Sequence, residues 1–138
     1  MTNSPETPDT TQPATDQTSE APFAILISKD LFFVSRITGT ASGFGWKVAS
    51  DSPANAATRS HDSNCRGVLI DLTTPGLNIT SLMESIGNVT SIAFGPHVQV
   101  KRLEDAKAAG CTVVLPRSRF DSTLNDLLAS LFDIRSEA

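Results

Sequence analysis

From residue 23 onward, apolar positions fall into two alternating kinds of segment. Phe23-Ala24-Ile25-Leu26-Ile27 is a short, continuous, β-branched run, the pattern of a strand buried on both faces. Asp30 then offers an N-cap to a helix from Leu31, in which Leu31, Val34, Ile37 and Ala41 recur at helical spacing and Gly43 and Gly45 end the run. The same alternation continues along the chain. Strands are predicted at Trp46 to Ala49, Gly67 to Ile70, Val89 to Phe94 and Thr112 to Leu115.

Between those strands lie helical patterns. Asp51-Ser52-Pro53 starts one over "ANAATRS", and an Asn cap opens "NITSLMESIG", which stops at Gly87. "VQVKRLEDAKAAG" turns Val100, Leu103, Ala106 and Ala109 inward, with Gly110 at its end. A last helix carries Leu124, Leu127, Leu128 and Leu131 on one stripe, with Phe120 and Phe132 beside it. Five βα units with fully apolar strands imply a parallel sheet covered on both faces. The expected fold is α/β, flavodoxin-like and doubly wound, with strand order 2-1-3-4-5. Its ligand crevice lies at the carboxyl ends of strands one and three, where Asp30 and Asp71 fall.

Composition adds a boundary. Residues 1–21 are Thr, Pro and acid with little to bury, which reads as a disordered tail. A single domain then spans 22–135, leaving 136–138 as a C-terminal end. Of the 15 acids, four (Glu6, Asp9, Asp16, Glu20) sit in the tail, and the other 11 balance 11 bases. A neutral domain with one Trp and no Tyr argues against nucleic acid as a partner. No apolar run reaches membrane-spanning length and the N-terminus lacks a secretory pattern, so a cytoplasmic location is expected. Cys65 and Cys111 have no CxxC partner and no His at zinc spacing, which leaves them as small, partly buried residues near strand starts. "ITGTASG" at 37–43 has the letters of a flavin phosphate loop but comes too late, inside helix one, to open a helix directly after strand one.

Two stretches carry more chemistry. "LIDLTTPG" (residues 69–76) places an acid at a strand end with Pro four residues on, and "AKAAGCTVVLPRSRF" (106–120) leads through strand five to a cation. In this order, inside five βα units, they resemble the receiver domain of response regulators, the CheY-like family of two-component signalling. The resemblance covers roughly residues 23 to 134. It implies a phosphoacceptor at Asp71, an acid pair that helps hold Mg²⁺ at Lys29 and Asp30, and a metal-facing backbone carbonyl at Thr73. It also implies a phosphoryl-binding hydroxyl at the Gly95 position and a Lys at the Arg117 position. His97 lies on the same rim as a pocket residue.

The departures from that pattern have physical consequences. Lys29 replaces one carboxylate, Gly95 has no hydroxyl, and Arg117 and Ser118 stand where the family has Lys and Pro. Lys29, Asp30, Asp71 and Arg117 together sum to zero charge, so an entering cation meets two positive heads. A like-charge contact at about 4 Å costs on the order of 4 kcal/mol at an effective dielectric near 20. Asp30 and Asp71 remain as the Mg²⁺ candidates, and no resident cofactor is expected. We expect Arg117 to pair with Asp71 and Lys29 to lie against Asp30, neutralising the pocket without phosphate. The leading reading is a degenerate receiver-like interaction module, without enzyme activity beyond any autophosphorylation chemistry at Asp71. Its partner would be another signalling protein, a histidine kinase or a second copy of itself, met through Lys101, Arg102, Asp105 and Arg119. A working phosphoacceptor receiver and a sensor of small anions at Arg117 and His97 stay open.

Overall fold

The computed structural model describes residues 21–132. All of the expected tail except Ala21, and the C-terminal end at 136–138, lie outside them. Eleven elements follow in order among the described residues: β1 (Phe23–Ile27), α1 (Leu31–Gly43), β2 (Lys47–Ser50), α2 (Pro53–Arg59), β3 (Cys65–Asp71), α3 (Ile79–Ser85), β4 (Thr90–Gly95), α4 (Val100–Ala108), β5 (Val113–Pro116), α5 (Arg117–Ser122) and α6 (Leu124–Phe132). The five strands are parallel and ordered β2-β1-β3-β4-β5, as the alternating pattern predicts.

β1 is buried at all five positions because helices cover both faces of the sheet. Its alternate side chains divide between two cores. Ala24 and Leu26 join Phe33, Ile37, Leu69, Phe94, Phe120 and Leu128 beneath α1, α5 and α6. Ile25 and Ile27 join Val68, Ile70, Leu72, Leu82 and Ala106 beneath α2, α3 and α4. Gly67 lets α6 approach β3: a Cβ there would meet Leu131 Cδ2 at 2.8 Å and the Thr90 carbonyl at 3.0 Å.

Several boundaries and faces differ from the sequence expectation. β3 extends from Cys65 through Asp71, because Leu72 N–H still donates to the Phe94 carbonyl at 2.9 Å and keeps the strand paired to its end. The last helical region is two helices, broken at Thr123, whose hydroxyl donates to the Arg119 carbonyl at 2.7 Å. Leu31 points outward and is 79% exposed; the buried stripe of α1 is Phe33, Ile37 and Ala41. At about 100° per residue Leu31 lies roughly 120° round from Ile37, off the core face. Val100, also expected inside, is 55% exposed as the first residue of α4, whose buried residue is Ala106. "ITGTASG" lies within α1, so it forms no loop after β1. No helix among the described residues is long and apolar enough to cross a membrane.

Phe120, fully buried, stacks on Phe94 at 4.1 Å and meets Phe33 at 5.8 Å. Phe120→Ala should therefore lower stability by about 3–5 kcal/mol, whereas Leu31→Ala should stay within about 0.5 kcal/mol of wild type. Urea unfolding of the two variants checks both values.

Candidate functional site

The carboxyl edge of the sheet gathers the residues of interest through strand register. Ile27 pairs with Ile70, so the next residues, Ser28 and Asp71, emerge side by side. Ser28 Oγ donates to Asp71 Oδ2 at 2.7 Å. On the other side, Thr73 N–H and Thr73 Oγ1 donate to Asp71 Oδ1 at 2.9 and 2.7 Å. Asp71 is 2% exposed, and both of its oxygens are engaged by donors from its own chain.

The turn after Asp71 is held as firmly. Thr74 N–H and hydroxyl both donate to the Asp71 carbonyl, at 3.0 and 2.7 Å. Leu77 N–H donates to the Thr74 carbonyl at 3.1 Å, and Gly76 has φ 78°. Pro75 followed by a positive-φ Gly is the signature of a type II turn. Arg102 Nη1 donates to the Leu72 carbonyl at 2.7 Å from α4. Arg102, expected on a partner face, thus also braces the Asp71 loop, while Lys101 pairs along its helix with Asp105 at 3.2 Å and Arg119 is exposed.

The charge arrangement differs from the expected one. Arg117 Nη2 binds Asp30 Oδ2 at 2.8 Å rather than Asp71, and Lys29 is exposed, with no ion pair among the described residues. Two features explain the exchange. Asp30 is the N-cap of α1, its Oδ1 accepting from Phe33 N–H at 3.1 Å, which aims Oδ2 outward toward β5. The Arg117 guanidinium lies 4.1 Å above the Phe33 ring, a cation–π contact that holds it over α1 and away from β3. That hydrogen bond from Arg117, with the Phe33 amide, holds the Asp30 carboxyl below the usual carboxylate range.

Gly95 ends β4 in a buried position, and a Cβ there would sit 3.4 Å from Leu72 Cβ, an ordinary contact. His97 is exposed and lines an open groove of about 570 Å³ with Phe32, Phe33, Arg36, Arg117 and Ser118. Arg36 Nε binds Asp121 Oδ1 at 2.8 Å across that groove, a second tie between α1 and α5. Burial pushes both the Cys65 and Cys111 thiols up, which leaves them poor nucleophiles at neutral pH.

Mg²⁺ demands near-octahedral oxygen ligation and usually engages one or two carboxylates. Here β1 presents a hydroxyl, Ser28, to Asp71, and both Asp30 oxygens are committed to Arg117 and the α1 cap. Among the described residues no group of three His, Cys, Asp or Glu could hold a metal ion. The donor set does not fit Mg²⁺. Ser28 and Thr74 escaped the sequence reading. Counting equal distances from the ends of β1 and β3 would have flagged Ser28, but a lone Ser carries no motif.

No protein-family model matches the chain, and no curated protein matches it. Solved structures do. A CheY-like response regulator receiver domain protein from Methanospirillum hungatei JF-1 aligns with TM-score 0.67 and 12% identity, over 86% of this chain and 100% of that one. A Burkholderia pseudomallei response regulator solved with a phosphorylated aspartic acid, calcium ion and citrate aligns with TM-score 0.62 and 14% identity, over 84% and 69%. An adenylate cyclase structure from Rhodopirellula baltica aligns with TM-score 0.62 and 15% identity, over 86% and 94%. The chain has the CheY-like receiver fold.

Ser28→Ala removes the one donor on Asp71 Oδ2 among the described residues and should cost about 1–3 kcal/mol, read from urea unfolding. The Asp30–Arg117 tie has a pH signature. Because the native carboxyl titrates below its ordinary value near about 4, the tie stabilises the fold above that pH and is lost as pH falls through the lowered value. The gap in urea midpoint between wild type and Arg117→Gln should therefore be widest near neutrality and narrow in acid.

Proposed function

We propose that this protein is a receiver-like signalling module that works through protein–protein contacts and not through phosphorylation of Asp71. One observation carries the reading: both oxygens of Asp71 are engaged, by the Ser28 hydroxyl and by the Thr73 hydroxyl and amide. Phosphoryl transfer to a carboxylate depends on positioning and on cations that neutralise spreading negative charge. At this site the Arg117 cation at the start of α5 is already paired with Asp30, and the residues that follow β1 beside Asp71 are Ser28 and Lys29. The hydrogen bonds on both oxygens withdraw charge from the would-be nucleophile and hold it in one orientation. Gly95 brings no hydroxyl to the phosphoryl position.

Neutral donors hold Asp71 in place of a switchable charge network. The same bonds close the β3–α3 turn, so the loop keeps one shape. A module built this way presents a constant surface to a partner, and no enzymatic step is required of it. The likeness to receiver structures, whose fold is used by response regulators, supports a place in signalling or regulation.

Amide NMR with Mg²⁺ and beryllofluoride, a phosphoryl mimic, tests this. Signals of Ser28, Asp71 and Thr73 should not move in wild type. Signals around position 71 should respond in a quadruple variant carrying Ser28→Asp, Lys29→Asp, Gly95→Ser and Arg117→Lys, which removes the Ser28 hydrogen bond and supplies the missing groups. Wild-type shifts that vanish in Asp71→Asn would establish a working phosphoacceptor and overturn the proposal.

A further inference from the structure

Among the described residues, five large hydrophobic side chains are more than half exposed: Leu31, Phe32, Phe44, Val98 and Val100. Four of them lie at the carboxyl edge of the sheet. Leu31 and Phe32 open α1, at 79% and 81% exposed, and Val98 and Val100 flank the start of α4. They follow one another in an arc along that edge: Leu31 precedes Phe32, Phe32 and His97 line one groove, Val98 follows His97 directly, and Val98 and Val100 line the next depression. Exposed apolar residues are ordinary when scattered; clustered ones mark interaction sites.

The polar groups inside the arc are unbalanced toward donors. Among the described residues Arg36 commits only its Nε–H, to Asp121, and Arg117 only one Nη2 donor, to Asp30. Each Asp30 oxygen accepts one hydrogen bond, and among the described residues Asp121 accepts on Oδ1 alone. Lys29, one residue before Asp30, is exposed and makes no ion pair among the described residues, and the ring of His97 and the hydroxyl of Ser118 are accessible. Unfilled N–H donors beside aromatic rings call for a ligand with carboxylate acceptors on an apolar body. A small organic acid could fill the groove but would leave Leu31, Val98 and Val100 bare. A peptide covers them.

We propose that this arc is a docking surface for an acidic segment of a partner protein that carries bulky apolar side chains. The inference rests on the interaction-module reading but not on the chemical state of Asp71. It places the contact on the starts of α1 and α4 and the α1–α5 groove, bordered by Lys101 and Asp105, which share a depression with Val98 and Val100. Residues 1–20 supply carboxylates but, apart from Met1, no large apolar side chain, so they match only half of the chemistry.

The test titrates the full chain, by amide NMR, with a blocked peptide alternating glutamate with leucine and phenylalanine, beside its glutamine counterpart. Shifts should centre on Phe32, His97, Val98 and Arg117. The glutamine peptide, and separately Phe32→Ser, should each weaken binding by about tenfold, with the melting temperature of Phe32→Ser unchanged. Absent shifts, shifts confined to Lys101, Asp105 and Arg119, or equal binding of both peptides would overturn the proposal. So would 3-phenylpropionate reproducing the whole pattern, which would make the groove a small-ligand site. Movement of the same signals on changing Glu6, Asp9, Asp16 and Glu20 to their amides, with no peptide present, would identify the chain's own tail as the occupant and also overturn it. A response to Mg²⁺ and beryllofluoride would remove the reading of Asp71 while leaving peptide binding at the arc intact.

Discussion

The parallel pairing of β1 with β3 is the constraint from which the rest of the structure follows. Its register sets Ile27 beside Ile70 and therefore delivers Ser28 to Asp71 at the strands' ends. The same pair marks the point where strand order reverses, since β2 lies to one side of β1 and β3, β4 and β5 to the other. Loops leaving β1 and β3 diverge there and open a crevice at the carboxyl edge. In this protein the crevice is closed chemically by short hydrogen bonds around a buried carboxylate. The Ser28 hydroxyl that faces Asp71 leaves this corner with one carboxylate held by uncharged donors.

A second consequence runs through Asp30, which acts on two elements at once. One oxygen caps α1 and the other holds Arg117. The guanidinium in turn rests on Phe33, which contacts Phe94 and Phe120 in the core. A chain of contacts thus connects a surface ion pair to the packed interior under α1, α5 and α6. Exposed ion pairs alone contribute little; this one has its geometry set by a helix cap and an aromatic face. Together with Arg36–Asp121 it fastens α1 to α5 and frames the groove that Phe32 and His97 line.

Most of the sheet was legible from the apolar runs, and so were the caps at Asp30, Ser52 and Asn78. Buried strands declare themselves by continuous β-branched residues, and caps are local hydrogen bonds between near neighbours. Helix faces were less legible. Leu31 and Val100 are apolar and fit an inward stripe on spacing alone, yet both lie in the first turn of their helices and stay exposed. In α1 spacing alone offers two stripes, one through Leu31, Val34 and Ile37 and one through Phe33, Ile37 and Ala41, and only packing against the sheet selects the second. The break at Thr123 was hidden for a similar reason: Phe120 and the leucine stripe read as one continuous amphipathic pattern.

The candidate site divides along the same line. Sequence alone determined that an acid stands at the end of a central strand before a Pro-Gly turn, and that Lys29, Gly95 and Arg117 depart from the receiver pattern. Those are facts of residue type and order. Which cation faces which carboxylate was decided only by the fold. Arg117 and Asp30 are 87 positions apart, as Ser28 and Asp71 are 43 apart. Net charge could not choose between Asp30 and Asp71 as the partner of Arg117, because both choices neutralise the pocket equally. Direction chose: the α1 cap turns Asp30 toward β5, Phe33 supports the guanidinium there, and strand register gives Asp71 to Ser28.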